Sequence, residues 1–403
     1  MNDITIIGGG ASGIACALEL KRLNKNLNVT ILERLDKLGK KILATGNGRC
    51  NISNEIIDIE HYKSNDNNFL KSINYIESKQ IIKEFFNNLG LLLKEDNNRI
   101  YPYSNMSSSV LELLIEQLKK EKINIIYNFE CTSVTREKDY YKILSKDKII
   151  TTKKVVFASG GKSSSTLGSN GTSYSILTNL GHTIIPLSPG LTAIKVKETF
   201  TKEIKGQKTK GTVKLIKDNN KIIETKGEVL FTDYGLSGIC IMDLSNYIDG
   251  DNYTISIDLM PEFTINTIKK LIKTRITNNQ FLEINSLLLG IINNKIGSTL
   301  IKSLKIDITK LISSLTEKEI DLIITTIKNW TFNIKEKLSY DNSQVTCGGI
   351  NTKEINYKTF ESLKKPNIYI IGELLDIVGL CGGYNLHFAW YSGITAARSI
   401  VED

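Results

Sequence analysis

Residues Gly8-Gly9-Gly10-Ala11-Ser12-Gly13 are spaced as G-x-G-x-x-G, and the chemistry this spacing serves is the holding of a pyrophosphate. Gly8 permits a tight turn, Gly10 keeps a Cβ from standing between backbone and phosphate, and Gly13 lets a helix lie close on a strand. Ala11 and Ser12 fall in a first helical turn, where N–H groups lack intrahelical partners and the helix dipole favours an anion. Further on, Glu33 and Arg34 follow an apolar run, which places the Glu33 carboxylate to accept both hydroxyls of a ribose. The positioning elements are legible around these residues. Residues 3–8 read as a short buried strand, and Ile14, Ala15, Leu18, Leu20 and Leu23 keep a helical period. Asn28 to Leu32 read as a second strand. The order strand, glycine turn, helix, strand, acid marks a dinucleotide site, without choosing between NAD and FAD.

The far end of the chain makes that choice. Asn367 to Ile371 form another buried-strand pattern that ends in Gly372-Glu373, and Gly382-Gly383-Tyr384-Asn385-Leu386 open a helix expected to run to about Val401. An NAD-only domain has no use for this second half-site. FAD does: one helix start holds its pyrophosphate, a strand-end acid meets its ribitol, and a second helix start faces the flavin edge that becomes negative on reduction. Lys154 to Phe157 end in Ala158-Ser159-Gly160-Gly161, small residues suited to backbone passing close to a cofactor. Segments near 123–128, 132–136, 140–144 and 148–152 read as strands of a meander returning to a central parallel sheet.

Composition excludes several classes. The 403 residues are 41% hydrophobic and 24% charged, which is ordinary for a globular chain of two or three domains and excludes disorder. The net charge of +9 raises the question of nucleic acid, but the enrichment in Ile, Asn and Lys fits an AT-rich coding bias, so nucleic-acid binding is not expected. Six scattered cysteines with no CxxC pair make neither a disulfide framework nor a metal site. No apolar run is long enough to span a bilayer and the first strand leaves no room for a leader, so a cytoplasmic location without membrane attachment is expected.

At this point the sequence resembles a known family, the bacterial NAD(P)/FAD-dependent oxidoreductases that include aminoacetone oxidases and bile-acid-hydrogenating flavoproteins. The resemblance spans essentially the whole chain. It is carried by the run Gly39 to Asn51 (GKKILATGNGRCN), by Arg99 to Ser104, by Phe231 to Gly238, by Thr346-Cys347-Gly348-Gly349, by Gly372 to Asp376 (GELLD) and by Gly382 to Asn385. It implies an α/β fold: a Rossmann-like FAD-binding domain of the glutathione-reductase-like kind, interrupted by an inserted domain. It also implies that Lys41 and Asp376 belong to the cofactor site. Gly46, Asn47, Gly48, Arg49, Cys50 and Asn51 would line the isoalloxazine end, and backbone near Cys131 would contact the adenine. Cys381 stands where the family often has Thr, and His387 where it often has Gln.

The insert is expected over 191–342, leaving 1–190 and 343–403 as the FAD domain. Residues 191–260 read as β-rich and 264–328 as helical, a small barrel or sheet with a helical cap for substrate. No second strand–GxGxxG–helix unit occurs, so NADH or NADPH, if it is the electron donor, is expected to bind transiently rather than in a domain of its own. Cys381, Cys50 and His387 read more readily as packing groups than as catalytic ones, and no catalytic side chain is assigned. The expected function is hydride transfer between flavin and a small organic substrate, with NAD(P)H-driven reduction of an activated C=C bond (steroid or bile-acid-like) foremost. The alternatives are an oxidase of a small amine or ketone and an RNA-associated flavoprotein, the latter resting on ten lysines against five acids between Lys195 and Glu228. Sequence does not fix the oligomeric state.

Overall fold

Four strands lie side by side in parallel: Val29–Leu32, Asn2–Ile7, Ile149–Phe157 and Ile368–Ile370. Their register sets Leu32, Ile7, Phe157 and Ile370 level with one another. The residues that follow, Glu33, Gly8, Ala158 and Ile371-Gly372, therefore emerge in one row at the carboxyl edge, which is where open α/β sheets bind ligands. Where they run parallel to one another, over residues 4–7, 29–32, 155–157 and 368–370, these strands are buried, as strands covered on both faces must be.

The long strand Ile149–Phe157 is one element, although the lysines at 153 and 154 suggest a break. Its first half pairs antiparallel with Tyr141–Leu144, which pairs in turn with Ser133–Arg136, while its second half pairs parallel with the first strand. The meander is thus shorter than its sequence pattern suggests. Asn124–Ile126 leaves it to become the outer parallel neighbour of Val29–Leu32.

The helix Ala11–Leu23 and the last helix, Tyr384–Glu402, pack closely: a Cβ built at Gly393 would lie 2.3 Å from the Ser12 carbonyl oxygen. The chain leaves this unit along Ile184–Gly190 and returns along Val345–Ile350, and these two strands pair antiparallel. The structure, a computed structural model, describes residues 1–402; its first unit is Met1–Gly190 with the chain from Tyr340 onward, and its second is Leu191–Ser339. Re-entry falls at Tyr340 rather than 343 because the Tyr340 carbonyl already accepts from Ser164 N–H, within the first unit.

The second unit has its own core. Six strands, Ile194–Val196, Gly235–Ser237, Asn220–Phe231, Lys208–Lys217, Tyr253–Asp258 and Trp330–Lys337, close into a barrel in that order. The helices Ile265–Asn278, Asn294–Ser303 and Glu317–Lys328 are inserted before the last strand. Along Lys208–Lys217, Val213 and Leu215 are fully buried, while Lys208 and Lys210 are exposed and Lys214 is partly exposed. The Lys210 and Lys214 positions face Glu228 and Glu224 across the hairpin, and Lys208 pairs with Glu228 at 2.8 Å. Lys195 pairs with Glu336, Lys205 with Asp233 and Lys217 with Asp249. The lysine-rich stretch is therefore interleaved with acids.

Candidate cofactor and active site

At the first strand end, Gly10 precedes the first helix without any side-chain cap, and a Cβ placed on it would meet nothing within 4 Å. Gly13 is the opposite: its Cβ would lie 2.1 Å from the Gly8 carbonyl oxygen and 3.3 Å from the Ala158 side chain, so only glycine lets this helix sit on the sheet edge. Ala11 and Ser12 complete the uncapped turn, and Ser159 beside Ala158 donates to Ser173. The buried Glu33 carboxylate accepts Gly9 N–H at 2.9 Å and Leu35 N–H at 2.8 Å, one on each oxygen. A carboxylate has about four lone-pair sites, so it keeps capacity for further donors. Asn128 and Phe129 bond back to Leu35 and Glu33 through the backbone, which brings the stretch leading to Cys131 alongside. Burial pushes the Cys131 thiol up to about 12, so it stays protonated. Arg34 donates to the carbonyls of Ser165 and Gly168.

In the middle of the row, the two ends of the chain meet. A Cβ on Gly372 would lie 2.7 Å from Ser12 Oγ, and Gly160 and Gly161 lie against the Glu373 carboxylate. Glu373 accepts from Lys41 Nζ at 2.7 Å and from Thr346 N–H at 2.9 Å. This pairing was not legible, since Lys41 and Glu373 are separated by most of the sequence. Asp376, by contrast, accepts from both nitrogens of Asn65, and burial raises its carboxyl above the usual range.

Beyond this centre, Gly46 and Asn47 turn left-handed, and the loop folds back so that Cys50 N–H donates to Thr45. With Gly48 they carry Arg49, whose guanidinium lies 4.3 Å over the Tyr101 ring, donates to the Tyr101 hydroxyl at 3.2 Å and reaches Asp96 at 3.4 Å. Such a stacked, planar fork is a pre-organised cation. The Cys50 thiol is buried and pushed up to about 12. Asn51 Oδ1 is buried without a hydrogen-bond partner, and lies 2.8 Å from where a Cβ on Gly383 would stand. Gly383 takes φ +98° and also touches the Ser53 carbonyl, so the last helix begins directly against this loop. Gly382 O accepts from Asn54, the Asn385 side chain clamps both polar atoms of the Gly379 backbone, and Leu386 packs on the core.

His387 is a fastener. Ser78 donates to the Tyr75 carbonyl, so its oxygen accepts the Nε2 proton, and Nδ1 accepts from Ser53 at 2.8 Å. Burial drives its pKa down to about 3, so the ring stays neutral. A residue that sequence reasoning passed over is His61, whose only signal is the Asp58-x-x-His61 spacing. Its ring stacks on Tyr384, 4.4 Å between centroids and 15° from parallel.

These features fit FAD. An uncapped helix start opens onto free space at Gly10, the buried Glu33 carboxylate at the next strand end would be free to take a ribose, and an orphaned acceptor, Asn51 Oδ1, would accept an N–H donor. A buried acceptor left unmade costs about 1–3 kcal/mol, which a heterocyclic N–H would relieve. One elongated nucleotide would engage both half-sites, and an NAD-sized ligand would engage only the first. The chain is thus an FAD-dependent oxidoreductase of the Rossmann type. More particularly, the model of the HI0933-like protein Rossmann domain matches residues 2–399, and the chain belongs to that family.

Among its relatives, the 3-dehydro-bile acid delta(4,6)-reductase of Clostridium scindens is 35% identical, with all of both chains covered. The ribosomal RNA dihydrouridine synthase of Haemophilus influenzae is 27% identical over 98% of this chain and 97% of its own. Among solved structures, the 3-ketosteroid delta1-dehydrogenase of Sterolibacterium denitrificans shares the fold, with a TM-score of 0.52 and 12% identity over 100% of this chain and 99% of the other. No described helix is long and apolar enough to cross a membrane, and no described cluster of His, Cys, Asp and Glu suits a metal.

Proposed function

We propose that this enzyme uses NADH or NADPH to reduce a C=C bond conjugated to a carbonyl in a small, rigid, apolar substrate of the steroid or bile-acid kind. The observation that carries the reading is the Arg49–Tyr101 pair, on chain segments that also carry exposed apolar side chains. Leu92 and Tyr103 are joined through their backbones, Leu43 is bonded to Ser107 next to Met106, and Leu92, Tyr103 and Met106 are each more than half exposed. A fixed guanidinium with N–H donors to spare suits an oxygen that gains negative charge, and the apolar side chains suit a hydrocarbon frame. The full-length likeness to a bile-acid reductase supports the same reading.

Bound FAD supplies the hydride; the chain does the rest. The first helix start and Glu33 hold the nucleotide, Lys41 and Glu373 fix the middle, and Arg49 steadies the substrate oxygen. The nicotinamide has no domain of its own and visits the same face transiently. A second reading, reduction of a uracil ring in RNA, shares this chemistry, because that ring also presents a C=C bond conjugated to a carbonyl. The rRNA-modifying relatives favour it. The interleaving of acids among the barrel lysines disfavours it, since RNA binding needs uncompensated cations.

The test is anaerobic reduction by NADH or NADPH, followed by challenge with a 3-oxo-4-ene steroid, a small primary amine and an rRNA fragment. Rapid reoxidation by the steroid alone is expected. Reoxidation only by the RNA, with affinity falling steeply as salt rises, overturns the assignment. So does a flavin reduced by the amine and indifferent to the steroid.

A further inference from the structure

We propose that His61, held by Asp58 and stacked on Tyr384, delivers the proton that completes reduction of the C=C bond; the inference rests on the conjugated-carbonyl reading above. The chain has three histidines. His387 and His182 are buried with both ring nitrogens hydrogen-bonded, and burial lowers the pKa of each. His61 differs. Its Nδ1 lies 2.7 Å from Asp58 Oδ1, the oxygen that also accepts Glu60 N–H, its side chain is 24% exposed, and among the described residues its Nε2 has no hydrogen-bond partner.

The ring is held from several sides. Asp58 fixes Nδ1, Tyr384 covers one face, the His61 carbonyl accepts Leu380 N–H, and the following residues, Tyr62–Lys63, pair with Val378–Gly379. An Asp–His pair with a defined ring and an open Nε2 is an arrangement for proton transfer rather than for packing. It also stands beside the start of the last helix: its ring stacks on Tyr384, the residue after Gly383, and a Cβ built on Gly383 would lie 2.8 Å from Asn51 Oδ1, two residues along the chain from Arg49.

The step balances. Hydride arrives at the substrate's β-carbon, and the C=C electron pair shifts to leave an enolate whose oxygen faces Arg49. Protonated His61, its Nδ1 held on Asp58 Oδ1, gives its Nε2 proton to the α-carbon as the enolate pair forms the new C–H bond. The neutral ring, its Nδ1–H still on Asp58, recovers a proton from water. The two electrons come from the reduced nicotinamide. Asp58 is a positioning residue, acting through His61.

His61→Gln and Asp58→Asn are compared with wild type by anaerobic rapid mixing, with bound-FAD absorbance and thermal melting as checks on folding. His61→Gln is expected to be reduced by NAD(P)H at the wild-type rate and reoxidised by the steroid enone about 10²–10⁴-fold more slowly, with a smaller slowing for Asp58→Asn. A readout that needs no variant is ¹⁵N-histidine NMR of wild-type holoenzyme titrated with the saturated ketone: only the His61 ring nitrogens are expected to shift. Reoxidation of His61→Gln at the wild-type rate, or unmoved His61 resonances on ketone binding, overturns the proposal while the reading stands. A wild-type enzyme that no enone reoxidises removes the reading and the proposal with it.

Discussion

Substituting alanine at Gly10 and at Gly13, three residues apart in one turn, is expected to have opposite consequences. At Gly10 the backbone is extended, φ −87° and ψ −168°, which any residue adopts, and the new methyl group meets nothing within 4 Å. The FAD-free protein should therefore keep its stability to within about 0.5 kcal/mol. The methyl group nevertheless fills the space where the pyrophosphate approaches the helix start. Loss of one charge-assisted hydrogen bond there costs about 1.5–3 kcal/mol, roughly a ten- to hundredfold weakening of FAD. At Gly13 the methyl group falls 2.1 Å from a backbone oxygen that cannot swing aside. Overpacking of this kind costs about 3 kcal/mol, against a gain of about 1 kcal/mol in helix propensity, a net loss near 2 kcal/mol. At roughly 2–4 °C per kcal/mol the FAD-free melting point drops by about 4–8 °C. The assays are thermal melts of FAD-free protein and FAD titrations followed by quenching of flavin fluorescence. A Gly10→Ala protein that binds FAD like wild type, or melts as low as Gly13→Ala, refutes the placement of the pyrophosphate.

Two further outcomes follow from the same geometry. Lys41→Met leaves the largely buried Glu373 carboxylate without its cation, and urea denaturation of FAD-free protein should show a loss of about 1–3 kcal/mol, less than for a fully buried pair because both partners keep some exposure; no loss refutes the pairing. His387 has a folded-state pKa near 3 against 6.5 unfolded, so the unfolded chain binds the extra proton as pH falls below 6.5. Its contribution is intact above that pH and is lost progressively on acidification, by about 2 kcal/mol between pH 7.5 and pH 5. The difference in unfolding free energy between these pH values should shrink by that amount in His387→Gln, and an unchanged difference contradicts a buried neutral ring.

The Rossmann unit was legible because it is local. Gly8 to Gly13 and Glu33 lie in one strand–helix–strand unit, and each glycine answers to a specific backbone demand. The strand before Glu373 and the helix after Gly383 were legible because each has a clear period. What the sequence withheld depends on folding. No spacing announces that Lys41 reaches Glu373, that Asn51 is left with an orphaned oxygen, or that His387 is caught between Ser53 and Ser78. The barrel was only partly visible, because its closing strand, Trp330–Lys337, comes after three helices and pairs with segments far away in sequence. The lysines of that barrel suggested a basic face until pairing placed Glu224, Glu228, Asp233 and Asp249 among them.

The most direct measurement is the visible spectrum of the purified chain, with identification of the nucleotide released on denaturation. One tightly held FAD per chain is expected, giving an oxidised-flavin band that NADH or NADPH bleaches in the absence of oxygen. A colourless protein that takes up no added FAD contradicts the account, however well the relatives match.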